Sequence, residues 1–198
     1  MSRVARLLTA VLALCALATA AAAAEPAMLA EGDVLRGRFV QERHMQGFAR
    51  PIVSEGTFVV APGRGLIWAA QSPFPVTTVV TPAGLSQRVD GAETTRLAAA
   101  RLPFLARLYD MLAGALSGDW SRLEGVFAVS RDGARVTLTP RRADDPAAQQ
   151  IARIGARLGR YVEMVEIEKP NGDLDRLTFR EQVLNARPLD AAEAELLR

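Results

Sequence analysis

Ser54 to Val80 reads SEGTFVVAPGRGLIWAAQSPFPVTTVV, and its pattern decides the fold class. Gly56, Phe58 and Val60 alternate with Thr57 and Val59. Leu66, Trp68 and Ala70 alternate with Ile67 and Ala69, and Val76, Thr78 and Val80 with Thr77 and Val79. Pro62-Gly63 and Pro73 break the runs. A period of two, interrupted by turn residues every eight to twelve positions, is the rhythm of antiparallel strands. A further strand starts near Leu35 and carries Phe39 and Gln41 on one face, and Pro82 and Asp90-Gly91 mark later breaks in the same rhythm.

The period changes at Pro103. Phe104, Leu105, Leu108, Met111, Leu112, Ala115 and Leu116 recur at helical spacing, with Arg107, Asp110 and Gly114 on the other side. This predicts an amphipathic helix over 103–117 with one wide apolar stripe. Pro103 suits its first turn and Gly118 its end. A short helical turn is expected around Trp120 and Leu123.

Strands then resume. Phe127 and Val129 lie on one, Asp132-Gly133 turns it, and Val136 and Leu138 lie on its partner. Residues 141–150 read as a polar loop, and Ile151 with Ile154 as a brief helical turn. Tyr161 to Lys169 is a strand, Asn171-Gly172 a hairpin turn, and Leu174 to Val183 the return strand. The apolar positions shift from Val162 and Met164 to Val165 and Ile167, which predicts a bulge near Met164. The Ala- and Glu-rich tail after Pro188 reads as a frayed helix. The expectation is α+β: a strongly bent antiparallel sheet with the amphipathic helix against it.

Residues 1–24 stand apart. Arg3 and Arg6 precede an apolar run from Leu7 to about Leu17, and Ala20 to Ala24 supply small-residue cleavage sites. This is the pattern of a secretory signal peptide, leaving a single domain over 25–198. Cys15 lies inside the apolar run after Leu14, which does not match a lipidation site, so the expected protein is periplasmic and not lipidated. Residues 1–24 carry two Arg and no acid. Without them 22 basic residues face 22 acidic ones, so the +2 of the whole chain implies no nucleic-acid partner.

Composition excludes most catalytic chemistry. One Cys and one His, His44, leave no set of ligands for a Cys- or His-based metal centre and few routes to a nucleophile–base pair. Asp173 and Asp175 flank a hairpin turn, where Asp is favoured for its local backbone bonds. No catalytic residue, metal or cofactor is expected. What stands out is apolar: Phe39, Phe58, Trp68, Phe74, Phe104, Phe127 and Phe179 fall mostly on strands sharing a sheet face. A bent sheet that one helix cannot fill leaves an apolar cavity; an ordinary filled core is the other outcome of the same pattern.

Phe39-Val40-Gln41, Ser54-Glu55-Gly56-Thr57-Phe58, Pro62-Gly63-Arg64-Gly65-Leu66-Ile67-Trp68 and Ser72-Pro73-Phe74-Pro75 together resemble the LolA family of periplasmic lipoprotein carriers. Leu116-Ser117-Gly118-Asp119-Trp120, Leu138-Thr139-Pro140 and Asn171-Gly172-Asp173 with Leu177-Thr178-Phe179 resemble its LolA-like branch. The resemblance implies an unclosed β-barrel, a strongly bent half-barrel with the amphipathic helix as its lid, and a non-catalytic carrier. It would hold acyl chains of a lipoprotein or other exported lipid on a concave apolar face and shuttle them toward the outer membrane. An inner-membrane exporter and an outer-membrane acceptor are the implied partners, and the carrier is expected as a monomer. A periplasmic lipid-sensing or lipid-binding module without a transport role is the alternative. The expected lipid-binding residues are Phe39, Phe58, Leu66, Trp68, Phe74, Leu105, Leu108, Met111, Leu112, Phe127 and Met164. The family's lid-locking arginine stands six residues before the tryptophan, where this chain has Pro62; Arg64 is the candidate latch in its place.

Overall fold

The computed structural model describes residues 28–98, 123–144 and 149–198. The proposed signal peptide, the helix over 103–117 with Leu105, Leu108, Met111 and Leu112, and Trp120 lie outside them.

Eleven antiparallel strands form one sheet in the order β6-β5-β4-β3-β2-β1-β11-β10-β9-β8-β7. The first six are β1 (Leu35–His44), β2 (Ile52–Ala61), β3 (Gly65–Ser72), β4 (Val76–Thr81), β5 (Gly84–Val89) and β6 (Ala92–Ala98). The rest are β7 (Phe127–Asp132), β8 (Arg135–Pro140), β9 (Arg153–Leu158), β10 (Val162–Glu168) and β11 (Leu174–Leu184). Each strand pairs with its neighbour in sequence, as hairpins do, except at two places. β1 also pairs with β11, from Leu35↔Leu184 to His44↔Leu174, and β6 and β7 are the two free edges. The sheet is therefore an unclosed barrel, as the resemblance implies.

Its curvature follows from where the apolar side chains go. Leu66 of β3 and Val80 of β4 share one buried cluster with Phe127 of β7, Leu138 of β8 and Ile154 of β9. Strands from opposite ends of the order meet in one core only if the sheet wraps around it. Bulges sharpen the bend: the register slips between Arg36 and Arg38 against β11, where Glu181 adopts φ 53, and between Val162 and Met164 on β10.

Two readings of local structure need correction. Ile151 and Ile154 do not form a helical turn; Ile154 opens the inward row Ile154, Ala156, Leu158 of β9, paired with β8 and β10. The i, i+3 spacing of two isoleucines imitates a helix, and the small Gly155 and Ala156 hide the strand alternation. The tail after Pro188 is an ordered helix, α1 (Ala191–Leu196), and not a frayed one.

α1 is short, so it depends on its ends. Asp190 accepts from the Glu193 backbone N–H at 2.8 Å, and Glu193 accepts from the Asp190 backbone N–H at 2.9 Å, a reciprocal capping box. Arg36 on the outer side of β1 reaches Glu193 at 2.6 Å and the carbonyls of Arg187 and Pro188 at 2.7 and 3.0 Å. Burial alone would raise the Glu193 carboxyl. Hydrogen bonds from Arg36, the Asp190 backbone and Arg187 outweigh it and lower the carboxyl from 4.5 to about 2. Leu197 then joins Ala61, Ile67 and Val79 in a second apolar cluster, on the outer face of β2–β4.

Candidate functional site

The inner face is built in rows by strand register. Gly37, Phe58, Trp68 and Thr78 lie side by side across β1 to β4. Phe39, Gly56, Ala70 and Val76 form the next row, and Leu35, Val60, Leu66 and Val80 the one on its other side. Within these rows each phenylalanine of β1 and β2 faces a glycine: Phe39 faces Gly56, and Phe58 faces Gly37.

The glycines let the rings lie flat across the neighbouring strand. A Cβ on Gly37 would stand 2.7 Å from the Phe58 ring. One on Gly56 would stand 2.0 Å from the Ala69 carbonyl oxygen, where no L side chain fits. With that row position empty, Phe39 on β1 and Trp68 on β3 reach over β2 and stack, with centroids 3.7 Å apart and planes at 23°. Phe179 closes the group edge-on, 5.4 Å from Phe58 and 6.1 Å from Trp68. Such pairs contribute roughly 0.5–1.5 kcal/mol each beyond their burial.

The structure thus brings Phe39, Phe58, Leu66 and Phe127 into one buried cluster, with Trp68 half-buried against it. It does not bring in two of the expected residues. Phe74 sits in the β3–β4 loop, 75% exposed. Met164 sits beyond the β10 bulge on the same side as Glu166, opposite Val165 and Ile167, and is absent from the cluster. Arg64 occupies the β2–β3 turn and donates to the Ala194 carbonyl of α1 at 3.3 Å. It shares a cleft of ≈ 410 Å³ with Ala194, Pro188 and Leu189. α1 covers the outer face, so Arg64 is placed away from the inner one.

Phe179, which the aromatic pattern places on the shared sheet face, belongs to the site, and so do Val80 and Leu85, none of the three being among the expected lipid-binding residues. Their signal was available: each is the apolar member of an alternating pair, and only cross-strand register selects which of them meet. That register also extends the inner face past Trp68. Thr78, Val80 and Val76 on β4 face Gln87, Leu85 and Val89 on β5, and Leu85 faces Leu97 on β6. Val89 and Leu97 remain 37% and 38% exposed. The inner face is therefore packed from β7 round to Leu66 of β3 and Val80 of β4, and becomes exposed only at Val89 and Leu97 toward the β6 edge. Its polar groups there are few, with Gln87 Nε2 donating to Thr78 Oγ1 at 3.2 Å.

Among the described residues no group of His, Cys, Asp and Glu could hold a metal ion, and no helix is long and apolar enough to cross a membrane. An apolar sheet face that is exposed toward one edge can hold hydrocarbon.

Residues 15–196 match a family described as outer membrane lipoprotein carrier protein LolA-like. Among solved structures the chain is similar to one from the Pseudomonas aeruginosa MucA/MucB complex, at 17% identity and a TM-score of 0.47, over 81% of this chain and 55% of that one. It is similar to a LolA superfamily protein from Nitrosomonas europaea at 10% identity and a TM-score of 0.46, over 84% of this chain and 90% of that one. The chain thus spans about half the length of the first of these. No curated protein sequence matches it.

Proposed function

The chain belongs to the LolA-like family of outer membrane lipoprotein carrier proteins, and we propose on that footing that it is a periplasmic carrier of acyl chains. Residues 1–24 act as its signal peptide and 25–198 as one carrier domain. It takes the acyl chains of a lipoprotein or other exported lipid from an inner-membrane exporter, hides them in its trough and delivers them to an outer-membrane acceptor, with no catalytic step.

The observation that supports this reading is the apolar inner face that becomes exposed toward the β6 edge, at Val89 and Leu97 beyond Trp68 and Leu85. Hydrocarbon in water is driven to such a surface by roughly 0.8 kcal/mol per buried CH₂. A carrier also has to release its cargo, which suits an affinity near micromolar, about 8 kcal/mol. In this reading the apolar stripe of 103–117 covers the trough, and Arg64, tied to α1, serves the frame and not the lid.

The test is thermal protection. Palmitate in excess raises the melting temperature of the delipidated protein, because it binds the folded state alone. Leu97→Glu puts a charge at the open end of the trough and abolishes that protection while leaving the buried core intact. Full protection in Leu97→Glu, or none in the parent, contradicts the proposal.

A further inference from the structure

The strands alternate in direction, so their ends fall on two rims. One rim carries the β1–β2 loop (45–51), the β3–β4 loop (73–75), the β5–β6 turn (90–91) and the β10–β11 hairpin (169–173). Eight large apolar residues are exposed among those described, and five of them, Phe48, Ile52, Val53, Phe74 and Val89, lie at this rim. Phe48 and Phe74 are the most exposed of the five, at 66% and 75%. A single exposed apolar side chain needs no explanation, but a set gathered at one end marks a contact surface.

The two rings stand on loops shaped to protrude. The Phe48 backbone N–H donates to the Met45 carbonyl at 3.2 Å, closing a turn in which Gly47 takes φ 84. The Gln46 N–H donates to Asp173 Oδ1 at 3.0 Å, which ties this loop to the β10–β11 hairpin. Pro73 and Pro75 flank Phe74, and neither has an N–H. Loop backbone is costly against lipid because its polar groups lose water. Here the Phe48 donor is already bonded, and those on either side of Phe74 are missing.

Spacing and charge favour a flat, uncharged partner. Neighbouring strands lie about 4.8 Å apart, so the three apolar connections follow one another at roughly 10 Å along the rim. Protruding rings offer a second protein no groove to fill, whereas a bilayer interface takes them without matching their shape. The charges between them balance. Asp175 takes Arg43 at 2.8 Å and Lys169 at 3.0 Å, and Asp173 lies beside the same two cations. Arg50 on the β1–β2 loop is offset in sign by Asp90 on the β5–β6 turn.

We propose that this rim docks on the surface of a phospholipid bilayer, with Phe48 and Phe74 inserted among the acyl chains and Ile52 and Val89 at the interface behind them. The attachment is apolar, so it requires no acidic lipid. It stands apart from the carrier reading, whose test residue Leu97 lies toward the other end of β6.

The test is flotation of the chain 25–198 with phosphatidylcholine vesicles. This chain keeps every described residue, and it lacks the apolar run of 1–24, which would bind lipid by itself. The protein floats with the vesicles in high salt as in low. Phe48→Ala and Phe74→Ala each weaken the partitioning about tenfold, the order expected for one ring leaving the acyl region. Val183→Ala, at the opposite rim, and Leu97→Glu leave it unchanged. Urea midpoints of the two phenylalanine variants match the parent, because both rings stand outside the core. No flotation of the parent overturns the proposal and assigns the rim to a protein partner. Flotation that needs acidic lipid and is lost in high salt, or that survives the double variant Phe48→Ala/Phe74→Ala, overturns it as well. Palmitate protection is read separately: its absence in the parent defeats the carrier reading and leaves this proposal standing.

Discussion

Gly56 decides more of the site than any aromatic does. Phe39, Phe58 and Trp68 are legible in the sequence because alternation assigns each to an inward position. That Phe39 and Trp68 touch is not legible, because they sit on strands that do not pair; the contact exists only because the residue between them lacks a side chain. Gly56→Ala is therefore expected to destabilise the fold by about 1–3 kcal/mol, the usual range for forcing atoms into a packed region, since its Cβ would meet the Ala69 carbonyl at 2.0 Å. Gly155 on β9 is the control. A Cβ there meets nothing within 4 Å, so Gly155→Ala leaves the urea midpoint unchanged or raises it by restricting the unfolded chain. Equal losses in the two variants would contradict the close-approach argument.

Strand period is legible in the sequence only where large side chains alternate cleanly with small or polar ones. β2, β3 and β4 alternate large against small or polar side chains, so their period is unambiguous. In β9 the inward row is Ile154, Ala156 and Leu158, and a small middle residue flattens the signal. The bulge on β10 was visible as a shift of apolar positions, but its side effect, turning Met164 outward, depends on which residue the ladder skips. α1 shows the reverse case. Asp190 and Glu193 spell a capping box, yet the partner that makes the helix firm, Arg36, lies 157 positions away.

That partnership gives α1 a pH dependence of known sign. The Glu193 carboxyl is lowered from 4.5 to about 2. Its stabilising charge is fully present above the unfolded value and is lost as pH falls from there through about 2. By linkage the loss is on the order of 3 kcal/mol. Urea unfolding between pH 7 and 2 should show Glu193→Gln less stable than the parent at pH 7, with the gap closing below pH 4.5. A gap independent of pH would mean that the carboxylate's charge is not what holds the helix.

At the scale of the whole molecule, the meander of hairpins follows from local signals, since each turn residue pairs a strand with its neighbour. The pairing of β1 with β11 does not; it joins segments about 140 residues apart in the sequence, and no local signal specifies it. This one long-range ladder converts a flat meander into a wrapped sheet, and it leaves β6 and β7 as unjoined edges. The proposed carrier role rests on that arrangement: a filled core on one side and an apolar face that becomes exposed toward the β6 edge on the other, with Trp68 between them.

Trp68 is one of two tryptophans in the chain, the other being Trp120, so Trp120→Phe makes it the sole indole reporter. The most direct measurement is the emission of Trp68 in that variant, delipidated, as a bromine-labelled palmitic acid is added, since bromine quenches only on close approach. The account predicts saturable quenching with a midpoint near micromolar, reversed by unlabelled palmitate. Emission that stays unchanged as the brominated chain is added would show that Trp68 floors a filled core and would contradict the trough.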